Sequence, residues 1–299
     1  MSAPLDAFAA KLAAGERPSD VDAEALAATR DLVTLGMLAD EDRRRRHGRR
    51  VTYVRVADIA VTDRAALEAG PIAAAREVRL SGRTASVDEA VRAVRVVAGR
   101  AAGVPLTGFA LEDLAALAAA ESAPLESVAR RLHEAGLAAV AGVSVDLPGV
   151  EEAIAAARAG GLHVWRLVVP RPDPGGRLAA MGRARAIQHG AGGLRAFAPL
   201  SSAIDPSEPT TGYDDVKQVA LARLLVDNIE SIQVDWRGYG PKLAQVALTC
   251  GADDIAGVSP LDARDLGARR ATVEEIHRNI RAASLEPVER DGRFAPVEA

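Results

Sequence analysis

Cysteine is almost missing from this sequence: among 299 residues there is one, Cys250. That excludes a disulfide framework, and it excludes any iron–sulfur cluster held by three or four cysteines of this chain. Aromatic residues make up 3%, too few for a base-stacking platform of the kind that holds single-stranded nucleic acid. Positive charge is not in excess. Lysine and arginine number 37 against 41 aspartates and glutamates, a formal charge of −4, the wrong sign for a nucleic-acid partner. No run of 18 apolar residues occurs, so no membrane span is expected. Residues 1–10 lack the basic start and apolar segment of a secretory signal, and the expected location is the cytoplasm. What the chain does have is globular: 48% apolar and 26% charged residues, enough to bury the core of one long or two ordinary domains.

Residues 1–50 read as helices. Ser19 is placed to cap a helix carrying Val21, Leu26, Leu32 and Leu35. Arg43, Arg44, Arg45, Arg46, Arg49 and Arg50 then surround His47. One reading of this run is a phosphate-binding patch. The favoured one is a solvated helix end whose cations offset the helix dipole. From Val51 onward, apolar runs of strand length alternate with helix-period segments. Strands are expected at 51–60, 77–80, 104–109, 138–145, 163–169, 194–199, 231–236 and 254–258. Helices are expected at 63–75, 87–99, 111–120, 125–135, 150–159, 177–188, 213–228, 241–250 and 273–283. Ser86 with Glu89, Thr211 with Asp214 and Thr272 with Glu275 are capping signals. Such alternation implies parallel strands joined by right-handed crossovers. The predicted class is therefore α/β, a TIM-type or partial (β/α) barrel, with a doubly wound sheet as the alternative. The expected division is an N-terminal helical segment at 1–50, the barrel at 51–260, and a C-terminal helix with a polar tail at 261–299.

In such a barrel, functional groups gather at the C-terminal ends of the strands. That rule selects Arg166, Asp235, Trp236, Arg237 and Tyr239. Asp235 and Arg237 would orient a polar ligand, and Trp236 would stack on a ring. The competing reading is a solvated loop ion pair with an anchoring aromatic. Cys250 reads as a nucleophile or metal ligand, or, preferably, as a small apolar residue at a helix end. The histidines His47, His133, His163, His189 and His277 lack metal spacing. Asp253 and Asp254 suggest metal or acid–base work, but Asp253 falls at a helix-to-strand turn, which favours a structural role. The HGAGG segment at 189–193 precedes a strand, whereas a phosphate cradle lies between a strand and the following helix. Asp173-Pro174-Gly175-Gly176 has that order and reads as a plain turn.

The most distinctive stretch is TTGYDDVKQVALARLLVDNIESIQVDWRGYGPKLAQVALTC at 210–250, running on into GADDIAG at 251–257. Its pieces Thr210-Thr211-Gly212, Ala222-Arg223, Asp227-Asn228-Ile229 and Gly240-Pro241-Lys242-Leu243-Ala244-Gln245 carry a resemblance. The segment resembles the C-terminal region shared by three radical SAM enzymes: aminofutalosine synthase, cyclic dehypoxanthine futalosine synthase and the second half of the deazaflavin FO synthase. LAAGERPS at 12–19, RRHGRRVTYV at 45–54, LHEAGL at 132–137 and EPVERDGRF at 286–294 follow the same pattern. The resemblance implies a barrel whose first strand leads into a CxxxCxxC loop. In the family that loop holds a four-iron, four-sulfur cluster, which reduces SAM to a radical.

Here Ala60-Val61-Thr62-Asp63-Arg64 follows the first strand directly, and no cysteine precedes residue 250. Residues 140–145 stand where the resemblance implies a glycine-rich SAM-binding stretch, and 167–172 stand where it implies a histidine-containing strand end. The expectation is a cluster-less pseudoenzyme with neither iron–sulfur cluster nor SAM binding, so that radical SAM activity is impossible for this chain alone. Its role would be accessory or ligand-binding, linked to menaquinone biosynthesis. The partner would be an active radical SAM homologue or a small polar or aromatic ligand. A metal-free enzyme working in the remodelled pocket is the alternative.

Overall fold

A computed structural model describes residues 3–69, 73–101, 103–171, 176–201, 211–261 and 272–297. Three helices come first: α1 (Ala3–Ala13), α2 (Asp20–Ala28) and α3 (Leu32–His47). Alternation then begins with β1 (Arg50–Ala60), α4 (Arg64–Ala69), β2 (Glu77–Ser81), α5 (Val87–Ala98) and β3 (Leu106–Ala110). The helix pair α6 (Leu111–Ala120) and α7 (Leu125–Glu134) leads to β4 (Ala139–Ser144), α8 (Val150–Ala159) and β5 (Arg166–Val168). Next come α9 (Arg177–Ala191), β6 (Ala196–Ala198), α10 (Gly212–Leu225), β7 (Ser231–Asp235), α11 (Trp236–Leu248) and β8 (Asp254–Val258). The chain finishes with α12 (Val273–Ala282) and β9 (Glu286–Glu289).

Strands β1 to β8 pair in sequence order and all in parallel, and β8 pairs back onto β1, whose later half runs beside β2. The sheet is thus a closed eight-stranded barrel wrapped by helices, and the doubly wound alternative is excluded. The helices form where periodicity placed them. In α5, Val87, Ala90, Val91, Val94 and Val97 make one buried stripe, and Ser86 accepts the Glu89 N–H at 3.2 Å to start it. Helix α10 is different, being buried on nearly every side from Asp215 to Leu225. An all-round buried helix needs cover on both faces, and the N-terminal helices supply the outer one. Lys217 donates to the carbonyls of Ala27 and Thr29 at the end of α2, at 2.6 and 2.7 Å, and the Tyr213 hydroxyl donates to the Arg30 carbonyl at 2.8 Å.

Four expectations are corrected. The single helix from Ser19 through Leu35 is two helices, because Asp31 accepts the Thr34 N–H at 3.0 Å and starts a new one; Val21 is left 75% exposed. The arginine run is not wholly solvated. Arg43 is fully buried, held by Asp40 at 2.8 Å and the Gly48 carbonyl at 3.2 Å, and Arg46 reaches the Asp227 carbonyl at 2.9 Å. The helix expected at 241–250 already begins at Trp236, broken at Gly240 (φ 78°, ψ 170°), a conformation open to glycine, and restarted by Pro241.

The polar tail forms β9, parallel to the start of β1 (Val51 opposite Pro287, Tyr53 opposite Glu289), and then turns under the barrel. There the Arg290 guanidinium lies 3.9 Å from the Phe294 ring, which meets Trp165 edge-on. No helix among the described residues is long and apolar enough to cross a membrane.

Candidate ligand site at the barrel mouth

Parallel strands covered on both faces normally read as unbroken apolar runs. Strand β2, EVRLS, breaks that rule with two charges two residues apart, on one face of the pleat. Arg79 sits in register with Asp58 of β1 and Thr107 of β3. Its Nη2 and Nε donate to Glu77 Oε1 at 2.7 and 2.9 Å, and the Thr107 hydroxyl donates to the same oxygen at 2.7 Å. Burial disfavours the Glu77 carboxylate, but Arg79 and Thr107 outweigh it and hold the carboxyl below its ordinary range. Burial likewise opposes the Arg79 charge, and Glu77, Asp58 and Asp235 more than restore it.

Arg166 opens β5 in a different state. It makes no hydrogen bond or ion pair with any described residue, and its Nε is buried without a partner. Burial, joined by the repulsion of Arg79, pulls its pKa down to about 10 against the attraction of Asp235, Glu77 and Asp254. Gly142 of β4 lets the two strands pack closely beside it; a Cβ there would lie 3.8 Å from Arg166 Cγ and 3.3 Å from Val168 Cγ1. Asp235 ends β7 and caps α11, its Oδ1 accepting the Gly238 N–H at 2.8 Å. Gly257 of β8, at φ +74°, brings backbone so near that a Cβ would stand 3.0 Å from both Asp235 oxygens.

Of the residues expected here, Asp235 acts electrostatically on both Arg166 and Arg79, as Asp58 does on Arg79. Arg237 pairs with Asp58 at 2.6 Å rather than with Asp235. Trp236 does not serve as a stacking surface. As the first residue of α11 it turns inward, is 2% exposed within the core, and leaves its Nε1 without a partner among the described residues. Tyr239 donates to the Ser201 carbonyl at 3.0 Å and lines a neighbouring cleft with Arg177, Asp214 and Gln218. Burial, with Asp215 and Asp235 nearby, pushes its hydroxyl pKa up.

Three further residues of the mouth escaped the strand-end rule: Asp58, Arg79 and Glu112. The charge alternation in EVRLS was the available signal for Arg79. Glu112 lies in the first turn of α6, where acids are common for dipole reasons alone. Burial raises its carboxyl pKa, although its own backbone and the Ser144 N–H, 3.3 Å from Oε2, pull the other way. It lines a cleft of about 360 Å³ with Arg83, Asp113 and Phe109. Phe109 is buried and held at φ +55°, a strained setting for a residue with a side chain.

The link between β1 and α4 is Val61, Thr62 and Asp63. Val61 N–H donates to the Ser81 carbonyl at 2.9 Å, and Asp63 accepts the Ala66 N–H at 3.0 Å. An iron–sulfur cluster at this link would require thiolates, and these three side chains do not fit one. Cys250 lies at the other end of the barrel, against α3, where a Cβ on Gly36 would stand 2.9 Å from its sulfur. Burial pushes its thiol pKa up, as suits a packing residue. Among the described residues no group of three or more His, Cys, Asp or Glu is arranged to hold a metal ion.

Asp253 and Asp254 are also at that lower end, both buried in ion pairs with Arg223 and Arg290, so the structural role expected of Asp253 extends to its neighbour. The HGAGG segment ends α9, and its Ala191 and Gly192 carbonyls accept from Arg158 at 2.6 and 2.7 Å. Asp173, Pro174, Gly175 and Thr210 lie outside the described residues.

Comparison with known proteins bears out the resemblance. Residues 202–299 match the family described as the CofH/MqnC C-terminal region. The chain is 27% identical to the aminodeoxyfutalosine synthase of Thermus thermophilus, over 97% of this chain and 95% of that protein. It is 36% identical to the 5-amino-6-(D-ribitylamino)uracil--L-tyrosine 4-hydroxyphenyl transferase of Methanococcoides burtonii over 38% of this chain, spanning 36% of that protein's length. Among solved structures, methylornithine synthase (PylB) superposes with a TM-score of 0.69 at 14% identity, covering 94% of this chain and 97% of that one; this shows a shared fold.

Proposed function

We propose that the chain is a cluster-less, catalytically degenerate homologue of the futalosine-pathway radical SAM enzymes. It would act in the cytoplasm as an accessory or ligand-binding protein linked to menaquinone biosynthesis. The observation that carries this reading is the link after β1. Val61, Thr62 and Asp63 occupy the place where the resemblance implies the cysteine loop, and the one thiol of the chain is at the far end of the barrel. Without three thiolates at the mouth there is nothing to anchor the cluster. A charged mouth on a closed barrel supports ligand binding, with Arg166, Asp235 and Arg237 as the groups that would make contact. In the accessory form the partner is an active radical SAM homologue. In the binding form it is a small polar molecule.

Anaerobic reconstitution with iron and sulfide, followed by metal analysis and a SAM-cleavage assay, tests the reading. The expected result is no bound cluster and no cleavage. Three or more irons per chain together with SAM cleavage would overturn it. Co-purification with an active homologue, or a change in that homologue's rate, would favour the accessory form.

A second reading, an enzyme with metal-free chemistry, is favoured by one observation. Glu112 is a carboxyl in the first turn of α6 whose proton affinity is raised by burial, the property of a general acid or base. Turnover lost in Glu112→Gln, in protein that stays folded, would select it.

A further inference from the structure

We infer that Arg166 is the anchor of an oxyanion site: the barrel mouth takes a small molecule whose carboxylate or phosphate lies against this guanidinium. The inference deepens the ligand-binding reading above and rests on it. Two observations carry it. First, Arg166 is the exception among the arginines on the barrel strands and their neighbours. Arg79 has Glu77, Arg290 has Asp254, and Arg223 has Asp253. Arg166 has no hydrogen bond or ion pair with any described residue, and its Nε is shut away from water. A partly desolvated cation without a partner is costly, and an anion arriving from outside would relieve that cost.

Second, the surroundings keep it unpaired. Asp235, the acid that attracts it most, spends Oδ1 on the cap of α11, and Asp58 is taken by Arg237. Arg79 also acts on Arg166 but is itself held by Glu77, which leaves Arg166 as the guanidinium that an oxyanion would meet. A planar guanidinium fork suits carboxylate or phosphate geometry better than a point charge does.

Thermal unfolding and titration calorimetry on the full chain test this, with inorganic phosphate and citrate as probes and chloride at matched ionic strength as the reference. The wild type should be stabilised by at least one of the two probes beyond chloride. Arg166→Met should lose about tenfold or more in affinity for that probe, the equivalent of one charge-assisted hydrogen bond or more. Arg195→Met, which removes an exposed arginine at the opposite end of the barrel, should respond as the wild type does. Arg166→Gln is run in parallel, so that poor folding of the methionine variant does not void the experiment.

A response to phosphate alone identifies a phosphate ligand, and a response to citrate alone a carboxylate. No response of the wild type to either, or an equal response in the Arg166 variants, overturns the inference. Failure of the cluster-less reading would be seen separately, as iron uptake and SAM cleavage.

Discussion

The two ends of the barrel treat buried charge in opposite ways. At the end where strands begin, each buried cation is matched. Arg290 places Nε and Nη2 on Asp254 at 2.6 and 2.7 Å, while Thr52 and Gln233 donate to the same carboxylate, each at 2.5 Å. Arg223 pairs with Asp253 and also donates to the carbonyls of Gly251 and Glu230, at 2.8 and 3.1 Å. Farther up the barrel, Arg166 at the opening of the short strand β5 and Trp236 Nε1 just past β7 have no partner among the described residues, and Asp235 is only part-engaged. Paired buried charges lock a fold, whereas a cation left unpaired marks where something else belongs. The lower end therefore holds the barrel together, and the upper end is built to meet a ligand, the division usual for this architecture.

The largest test of that contrast is Arg290→Ala. It strands a buried Asp254 carboxylate and unpins the tail from the base of the barrel. The expected loss is about 3–5 kcal/mol of stability, read by urea denaturation. A loss of well under 1 kcal/mol would mean the lower network is dispensable and the comparison wrong.

Acid should find the same weakness. Burial works against the charged form of Asp254, but Arg290, with Thr52 and Gln233, outweighs it and keeps the carboxyl below its ordinary range; Glu77 is depressed likewise. A depressed carboxyl contributes stability that is present above its unfolded pKa, about 4, and is lost as pH falls through its folded value. The melting temperature should thus hold on going down to about pH 5 and fall steeply below about pH 4. A melting temperature that is unchanged down to pH 3 would contradict the assignment.

Much of this fold was legible in the chain itself. The alternation of short apolar runs with capped amphipathic helices, such as Ser86 ahead of α5, marked the barrel strands and most of the helices around them. The tail was not legible. Residues 286–289 read EPVE, with a proline and two acids, a composition confined to short or edge strands, and its partner is more than two hundred residues away in β1. Nor was the burial of Arg43 legible, because a run of arginines gives no sign of which one a neighbouring element will cover. At the site, position in the strand order was readable and direction was not. Asp235 and Trp236 are adjacent, but the chain turns from strand to helix between them, sending one to the mouth and the other into the core. Arg79 was visible as an out-of-place charge in a short apolar strand, a signal that the strand-end rule does not weigh.

A smaller effect is expected at the upper end from Gly257→Ala. The residue holds φ +74° with the Asp235 carboxylate 3.0 Å from where the new Cβ would be. The backbone term alone is about 1–2 kcal/mol, and displacement of Asp235 should also weaken binding of any ligand that touches it. Calorimetry beside a thermal melt separates the two. A variant as stable as the wild type would mean that the close approach of β8 to Asp235 is not a constraint.

The smallest effect has the opposite sign, and for that reason cuts most sharply between the two ends. Arg166→Met exchanges an unpartnered, partly desolvated cation for an apolar side chain of similar length. With no carboxylate left behind, nothing is orphaned. The ligand-free protein should therefore gain stability, by about 1 kcal/mol, the order of an unsatisfied donor's penalty. The same substitution at Arg290 must destabilise, because Asp254 would remain buried and alone. Paired melts of the two variants against the wild type decide the matter. If both fall, Arg166 belongs to the structural network after all. If Arg166→Met rises while Arg290→Met falls, the guanidinium at the mouth is kept at a cost to the fold, and the role that justifies it is binding.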